Sequence, residues 1–311
     1  MKKEVLYSFR ALYRDQMNIY GYRFGKGEKA ACVVGALRGN EVQQMYICSQ
    51  LVRALSELEE HGAIAAGKEI LVVPSVNHYS MNVGKRFWTV DQTDINRRFP
   101  GYENGEPTQR IADGLFREIR EYSYGIQFTS FYMDGDFVPH VRMMETGYQN
   151  PSLANLFGLP YVMVRKPNAL DTSTLNYHWQ MWDTSAFSIY ANGTDQVDEV
   201  SAQRAVSAVL RFLTRMGILR YNSSGGYIAT VLYEQDLMSV RSDAAGIYRR
   251  FQNPGDEVRR GDLLGEVLHS QEGTVLSRIQ SPTDGILFFA HGASLVSESQ
   301  VLFKIIRRLH L

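Results

Sequence analysis

The apolar periodicity of this chain changes once, at "RYNSSGGY" (Arg220 to Tyr227), and that change limits what the two flanking stretches can fold into. From about Ala30 to Ile218, short β-branched runs alternate with helical patterns, which specifies an α/β domain on a mixed or parallel sheet. "ACVVGAL" (Ala31 to Leu37) and "EILVVPS" (Glu69 to Ser75) read as buried strands. Between them, Val42, Met45, Ile47, Cys48, Leu51, Leu55 and Leu58 fall near one face of a helix that Gly62 is placed to end, and Asn40 with Gln43 reads as its capping box. "PTQRIADGLFREIREYS", with Pro107 near its start, is a second amphipathic helix, and "YGIQFTSF" (Tyr124 to Phe131) is the strand after it. "PYVMVRK" and "SAFSIYA" are further strands, and a helix from about Asp198 to Met216 closes the domain.

Beyond Tyr227 no helical periodicity remains; turn signals such as "NPGDEVRRGD", "SQEGT" and "SPTDG" separate short strands, as in a small all-β module. The expected organisation is therefore an α/β domain over residues 1–221 and a β domain over residues 227–311. Lys+Arg and Asp+Glu are equal at 33 each, so there is no net field to attract nucleic acid or an anionic membrane, and small-molecule or protein partners are favoured. No apolar run approaches the ~18 residues that span a bilayer, and the basic start "MKKEVLYSFRALYRD" is not followed by an apolar signal region, so a cytoplasmic place is expected. Cys32, in an apolar strand, and Cys48, in a helical pattern, are expected as buried free thiols.

Two stretches carry a family resemblance. "GALRGNE" (Gly35 to Glu41) is similar to a Gly-x-His-Gly-Asn-Glu loop. "VPSVNHYSMNVGKRFWTVDQTDINRRFPG" (Val73 to Gly101) is similar to a run from a strand through Asn and Gly-x-Arg to Asp-Leu-Asn-Arg-x-Phe-Pro-Gly. Together they resemble the succinylglutamate desuccinylase/aspartoacylase family, which has a zinc carboxypeptidase-like fold. That resemblance implies a mixed sheet flanked by helices, and "PGDEVRRGDLLGEV" with "SPTDGIL" resembles a barrel-sandwich hybrid at the C-terminus. No lysine lies between Lys166 and Lys304, so this β domain is not a lysine-bearing carrier arm; a lid or assembly role near the site mouth is expected instead.

By the same resemblance, zinc would be held by the His and Glu of the first loop and by a second His on a later strand, with a strand Glu as general base. Two imidazoles and a carboxylate leave a fourth position for an activated water. This sequence departs from that set. Arg38 stands at the first His position, and a guanidinium has no lone pair to give a cation. Glu41 is retained. Thr129 falls at the second His position, with Gln127 and Phe128 before it, and Tyr190 falls at the catalytic Glu, with Ser188 two residues earlier. Zinc is thus implied by resemblance alone, and the residues themselves argue against a bound cofactor. A buried Glu41 without a metal needs a positive partner, which Arg38 can supply through a bidentate pair; the alternatives are that Glu41 simply complements the helix dipole and that Arg38 is solvated.

The resemblance assigns carboxylate recognition to Asn96 and Arg97, assisted by Arg86, for which the planar guanidinium is suited. The leading expectation is a family member with a degenerate metal site that binds a small carboxylate-bearing ligand without hydrolysing it. One alternative is an active amidohydrolase of N-acyl amino acids with displaced ligands among Glu41, Asp134, Asp136, His140 and His78. Another is a non-catalytic partner of an active paralogue; a homo-oligomer is compatible with each. Neither a Gly-x-Ser-x-Gly elbow nor a helix-start cysteine offers a nucleophile, and "YHWQMW" (Tyr177 to Trp182) reads equally as pocket lining or core.

Overall fold

Side chains that alternate along strands sort the apolar residues of this chain onto two sheet faces, and each face is covered by its own helices. The computed structural model describes residues 1–10, 16–131, 133–223 and 225–308. The strands of the α/β part are β1 (Lys2–Phe9), β2 (Met17–Gly25), β3 (Gly27–Ala36), β4 (Gly67–Ser75), β5 (Tyr124–Phe128), β7 (His140–Met144), β8 (Tyr161–Arg165), β9 (Ser185–Tyr190) and β10 (Thr230–Tyr233); β6 (Gly135–Phe137) belongs elsewhere. They form one nine-stranded sheet in the order β1-β2-β4-β3-β5-β9-β7-β8-β10. It is mixed: β4, β3, β5 and β9 run parallel to one another, as do β7 and β8, whereas the pairs β1–β2, β2–β4 and β9–β7 are antiparallel.

In β3, Ala31 and Val33 enter one core with Ile47, Cys48, Leu51 and Leu55 of α1 (Val42–Glu60) and Val209, Phe212 and Leu213 of α6 (Glu199–Arg215). Cys32 and Val34 enter the other, with Ile111, Leu115, Phe116 and Ile119 of α3 (Pro107–Ile119) and Leu175 and Trp179 of α5 (Leu175–Met181). Cys32 and Cys48 are accordingly in separate cores, and both are free and buried. Two short helices, α2 (His78–Met81) and α4 (Pro151–Ala154), complete this part.

Several elements differ from the sequence reading. β1 and β2, which extend the sheet, and β7 are strands outside the sequence reading. The strand expected to run to Phe131 stops at Phe128. The Asn40–Gln43 capping box does not form: Glu41 is the N-cap of α1, without a side-chain cap bond. Gln43 instead exchanges two hydrogen bonds with the backbone of Asp198, at 2.9 and 3.0 Å, and so ties the start of α1 to the start of α6.

Contacts divide the chain into Met1–Ser130 with His140–Val231, and Phe131–Pro139 with Leu232–Leu311. The sequence suggests a single division between residues 221 and 227, because nothing in "FYMDGDFVP" marks it as a strand of the second unit. β6 pairs with β16 (Gly285–His291), Phe131 stacks on Phe289 at 5.4 Å, and Asp136 accepts from Arg250 at 2.8 Å. This second unit is all-β. One sheet runs β11 (Leu237–Arg241), β18 (Val301–Arg307), β16, β13 (Glu257–Val258), with β6 on β16. The other runs β15 (Val275–Gln280), β14 (Leu263–Leu268), β12 (Gly246–Arg250), β17 (Leu295–Val296). Val240, Tyr248, Leu264, Leu287, Leu302 and Phe303 are among the side chains that fill its core.

Asp198 caps α6: its carboxylate accepts from Ser201 N at 3.1 Å, Ser201 Oγ at 2.5 Å and Asn192 Nδ2 at 3.2 Å. These bonds, that from the Ser201 hydroxyl foremost, hold its carboxyl below the ordinary range. Replacing Asp198 by Ala is expected to cost about 1 kcal/mol at neutral pH. Because the folded value is the lower one, the difference is full above about pH 4 and is lost as the pH falls through the depressed value. Urea melts of wild type and variant across that range check both size and sign; a pH-independent difference would rule out the ionised cap.

Candidate functional site

The loop between β3 and α1 ends at a helix N-terminus, and Glu41 turns its side chain back from that N-terminus into the loop. Its carboxylate is fully buried, at 0% exposure. Glu41 Oε2 accepts from the backbone N–H of Leu37 and of Arg38, both at 2.9 Å. Oε1 accepts from Arg38 Nη1 at 3.0 Å and from Ser130 Oγ at 2.6 Å, with Ser130 N at 3.4 Å. An ionised carboxylate offers about four lone-pair sites, and here each is directed at a protein donor.

Arg38 is 5% exposed and divides its fork. One nitrogen goes to Glu41, while Nε and Nη2 both reach Asp94 Oδ2, at 3.0 and 2.8 Å. The two-point pair expected on Glu41 alone is therefore a bridge between two acids. The second acid comes from the Asp-Ile-Asn-Arg segment, where Asp94 also caps the short turn Ile95–Arg97 by accepting from Asn96 N at 3.0 Å. Burial acts against the Arg38 charge, but Glu41 and Asp94 outweigh it and raise its affinity for the proton above the ordinary arginine value.

Two glycines allow this approach. A Cβ on Gly39 would lie 2.2 Å from the Lys85 carbonyl and 2.5 Å from Ser80 Cβ, and Gly39 N donates to the Arg86 carbonyl at 2.9 Å. Gly101, at φ 96°, brings its backbone so close to α3 that a Cβ would stand 2.1 Å from Asp113 N. These contacts are the physical content of the glycines in the two sequence stretches.

Asn96 is buried, and its Oδ1 accepts from Leu175 N at 3.1 Å, which orients the amide and leaves Nδ2 without a partner among the described residues. Arg97 is half-buried and makes no ion pair or side-chain hydrogen bond among the described residues. Burial, aided by Arg38, lowers its proton affinity below the ordinary value, and Asp94 and Asp171 oppose that shift. A half-buried guanidinium with no ion pair among the described residues has the chemistry to accept an anion. Arg86, the third candidate for carboxylate recognition, lies with its guanidinium 5.7 Å from the Phe87 ring.

At the second imidazole position, Thr129 is buried with Oγ1 unpartnered among the described residues, and its N–H donates to the Ile189 carbonyl at 3.0 Å. Tyr190, at the position of the base, accepts from Arg142 Nη1 at 3.0 Å and stacks on His140 with ring centres 4.7 Å apart. His140 is buried in that stack. His78 is half-buried beside Tyr79, and burial lowers its proton affinity. Asp134 and Asp136 belong to the β unit, where Asp136 pairs with Arg250. Among the described residues no three His, Cys, Asp or Glu side chains gather as a metal group. The positions that would hold zinc offer a cation, a saturated carboxylate and a hydroxyl, a donor set that does not fit that ion.

Sequence reasoning paired Arg38 with Glu41 but missed Asp94 and Ser130. Asp94 lies 56 residues from Arg38 and nothing local in the sequence pairs the two, and Ser130 has no distinguishing signal.

Residues 28–214 match the family described as the succinylglutamate desuccinylase/aspartoacylase catalytic domain. No curated protein matches. Among solved structures, a succinylglutamate desuccinylase from Silicibacter sp. TM1040 is similar at TM-score 0.80 and 18% identity, over 98% of this chain and 93% of that one. A succinylglutamate desuccinylase/aspartoacylase from Rhodobacter sphaeroides gives 0.77 and 20%, over 94% and 89%. The product-bound ectoine utilization protein EutE (DoeB) from Ruegeria pomeroyi gives 0.76 and 19%, over 93% and 89%. These likenesses extend through the fold of nearly the whole chain. No helix among the described residues is long and apolar enough to cross a membrane.

The bridge makes a prediction. Arg38→Met keeps bulk and removes charge, leaving Glu41 and Asp94 facing each other without a cation. The expected loss is about 3–5 kcal/mol of unfolding free energy, as for other broken buried pairs. Chemical denaturation reads it; a loss under about 1 kcal/mol would place Arg38 with solvated surface charges.

Proposed function

The chain belongs to the succinylglutamate desuccinylase/aspartoacylase family, and from that premise we propose that it binds a small carboxylate-bearing molecule without hydrolysing it. The observation that carries the reading is the state of Glu41: all its acceptor capacity is taken by Leu37 N, Arg38 and Ser130. A ligand to zinc must present a lone pair to the metal, and this one has none to spare. The guanidinium of Arg38 supplies positive charge without a coordination site, so it preserves the electrostatic balance of the loop and forgoes the activation of water. The position of the base supports the same reading, because a phenol that already accepts from Arg142 is not the carboxylate that a hydrolase uses to move a proton.

Recognition falls to Arg97 and Asn96. Arg97 provides the unpaired fork, and Asn96, fixed through Leu175, adds an N–H donor from the adjacent position. A carboxylate bridging the two gains charge-assisted bonds and neutralises a half-buried cation. Arg86 is a further candidate on the neighbouring loop.

The test is calorimetric titration with butyrate and N-acetylglycine, followed by assay of zinc-supplemented protein for acyl release. Wild type is expected to bind without turnover. Arg97→Met should weaken binding at least tenfold, about 1.4 kcal/mol. Hydrolysis of N-acetyl or N-succinyl amino acids with one tightly held zinc per chain would overturn the proposal in favour of an active amidohydrolase with ligands outside the family positions.

A further inference from the structure

The strand register puts six polar side chains on one patch of sheet. Gln127 of β5 pairs with Ser188 of β9, Ser188 with Arg142 of β7, and Tyr190 with His140. Thr129 follows one strand period after Gln127 and is tied to β9 through Ile189. The intervening residues Ile126, Phe128, Phe187, Ile189 and Val141 all enter the core on the opposite face. This patch lies at the C-terminal ends of the parallel strands β5 and β9, where open α/β sheets bind ligands.

Three groups here are buried and lack partners among the described residues. Gln127 and Asn176 are each 2% exposed and Thr129 7%, yet Gln127 Nε2, Asn176 Oδ1 and Thr129 Oγ1 make no hydrogen bond. Asn176 is held in place, since its Nδ2 donates to Ser188 Oγ at 3.1 Å, and Ser188 is the register partner of Gln127. The two amides are therefore neighbours that do not bond to one another. Buried polar atoms in native proteins are nearly always satisfied, and a cluster that is not calls for an occupant with matching groups. Between them an amide N–H, an amide oxygen and a hydroxyl offer both donor and acceptor capacity.

Donor capacity limits the occupant further. A second carboxylate only accepts hydrogen bonds and would leave the buried Asn176 Oδ1 without a donor, whereas an amide both donates to that oxygen and accepts from Gln127 Nε2.

We propose that the ligand carries, beyond the carboxylate held by Asn96 and Arg97, one uncharged donor–acceptor group, a primary amide or ureide, seated on Gln127, Asn176 and Thr129. This rests on the reading of Asn96 and Arg97 as the carboxylate site. It makes Gln127 and Asn176 the specificity-determining residues, and it distinguishes the occupant from a dicarboxylate.

The experiment is titration of the full chain with two matched series: succinamate, succinate and butyrate, then glutaramate, glutarate and valerate. In at least one series the amide is expected to bind tenfold or more tighter than both the diacid and the alkanoate. Gln127→Leu and Asn176→Leu should each erase that preference, and Arg97→Met should weaken every member. Tighter binding of the diacid, or equal affinities within both series, overturns the inference, and the wild-type comparison gives that answer even if a variant fails to fold. Alkanoates bound through Arg97 without amide preference would leave the carboxylate site standing and assign the buried amides to water. Absence of binding by every member would remove both.

Discussion

The bond on which this site depends is the forked contact of one guanidinium with two acids from separate loops. Arg38 joins the turn after β3, through Glu41, to the turn Ile95–Arg97, through Asp94. Neither acid is tolerable alone in that environment: Glu41 is wholly buried, and two carboxylates around an empty centre would repel. With Arg38 between them the loops are locked in register, and the backbone that carries Asn96 and Arg97 is fixed in consequence. Asp94 links these effects directly, because one of its oxygens holds Arg38 and the other caps the turn that presents Asn96.

The rest of the site follows from the period of a strand. β5 and β9 give alternate residues to the core shared with α1 and α6, so the residues between them must face α3 and α5. Near the middle of the sheet those positions are apolar or small, as with Ala186 against Trp179. Toward the strand ends they become Gln127, Thr129, Ser188 and Tyr190. The same face thus passes from core to polar floor within two residues. A glycine at position 125 allows the closest packing just below that floor, where a Cβ would stand 2.6 Å from the Trp179 ring.

Much of this was legible in the sequence, for reasons that also explain what was not. The α/β pattern and the texture change at Arg220–Tyr227 depend on periodicity, which is local, and they fix the class of fold. The Arg38–Glu41 contact is legible because three residues of spacing and opposite charge suffice to suggest it. The division of the fork is not legible, since Asp94 lies 56 residues away and only the approach of two loops over Gly39 brings it near. Gln43 shows the same limit. Its spacing from Asn40 suggests a cap, but the backbone of Asp198, 155 residues on, offers it two hydrogen bonds in place of one. The strand β6 is hidden for a related reason: "GDF" is a turn by composition and becomes a strand only because β16 presents an edge to it, with Gly135 placed where a side chain would meet the Ala290 carbonyl at 2.3 Å.

Exchanging a metal for a guanidinium separates two properties that zinc combines. A divalent cation both neutralises acids and provides an electron-pair acceptor; the guanidinium neutralises acids through directed hydrogen bonds and accepts no electron pair. A site altered in this way can keep the shape and charge that recognise an anion while losing the means to activate water. On the proposed reading, the positions once concerned with catalysis are then free to take up contacts with the ligand. On that reading Thr129 and Tyr190 do not mimic the groups whose family positions they hold, and the Tyr190 phenol accepts from Arg142 at the position of the carboxylate base. On the same proposed reading, a polar floor of neutral amides and hydroxyls suits a site that serves the fit of a bound molecule rather than its reaction.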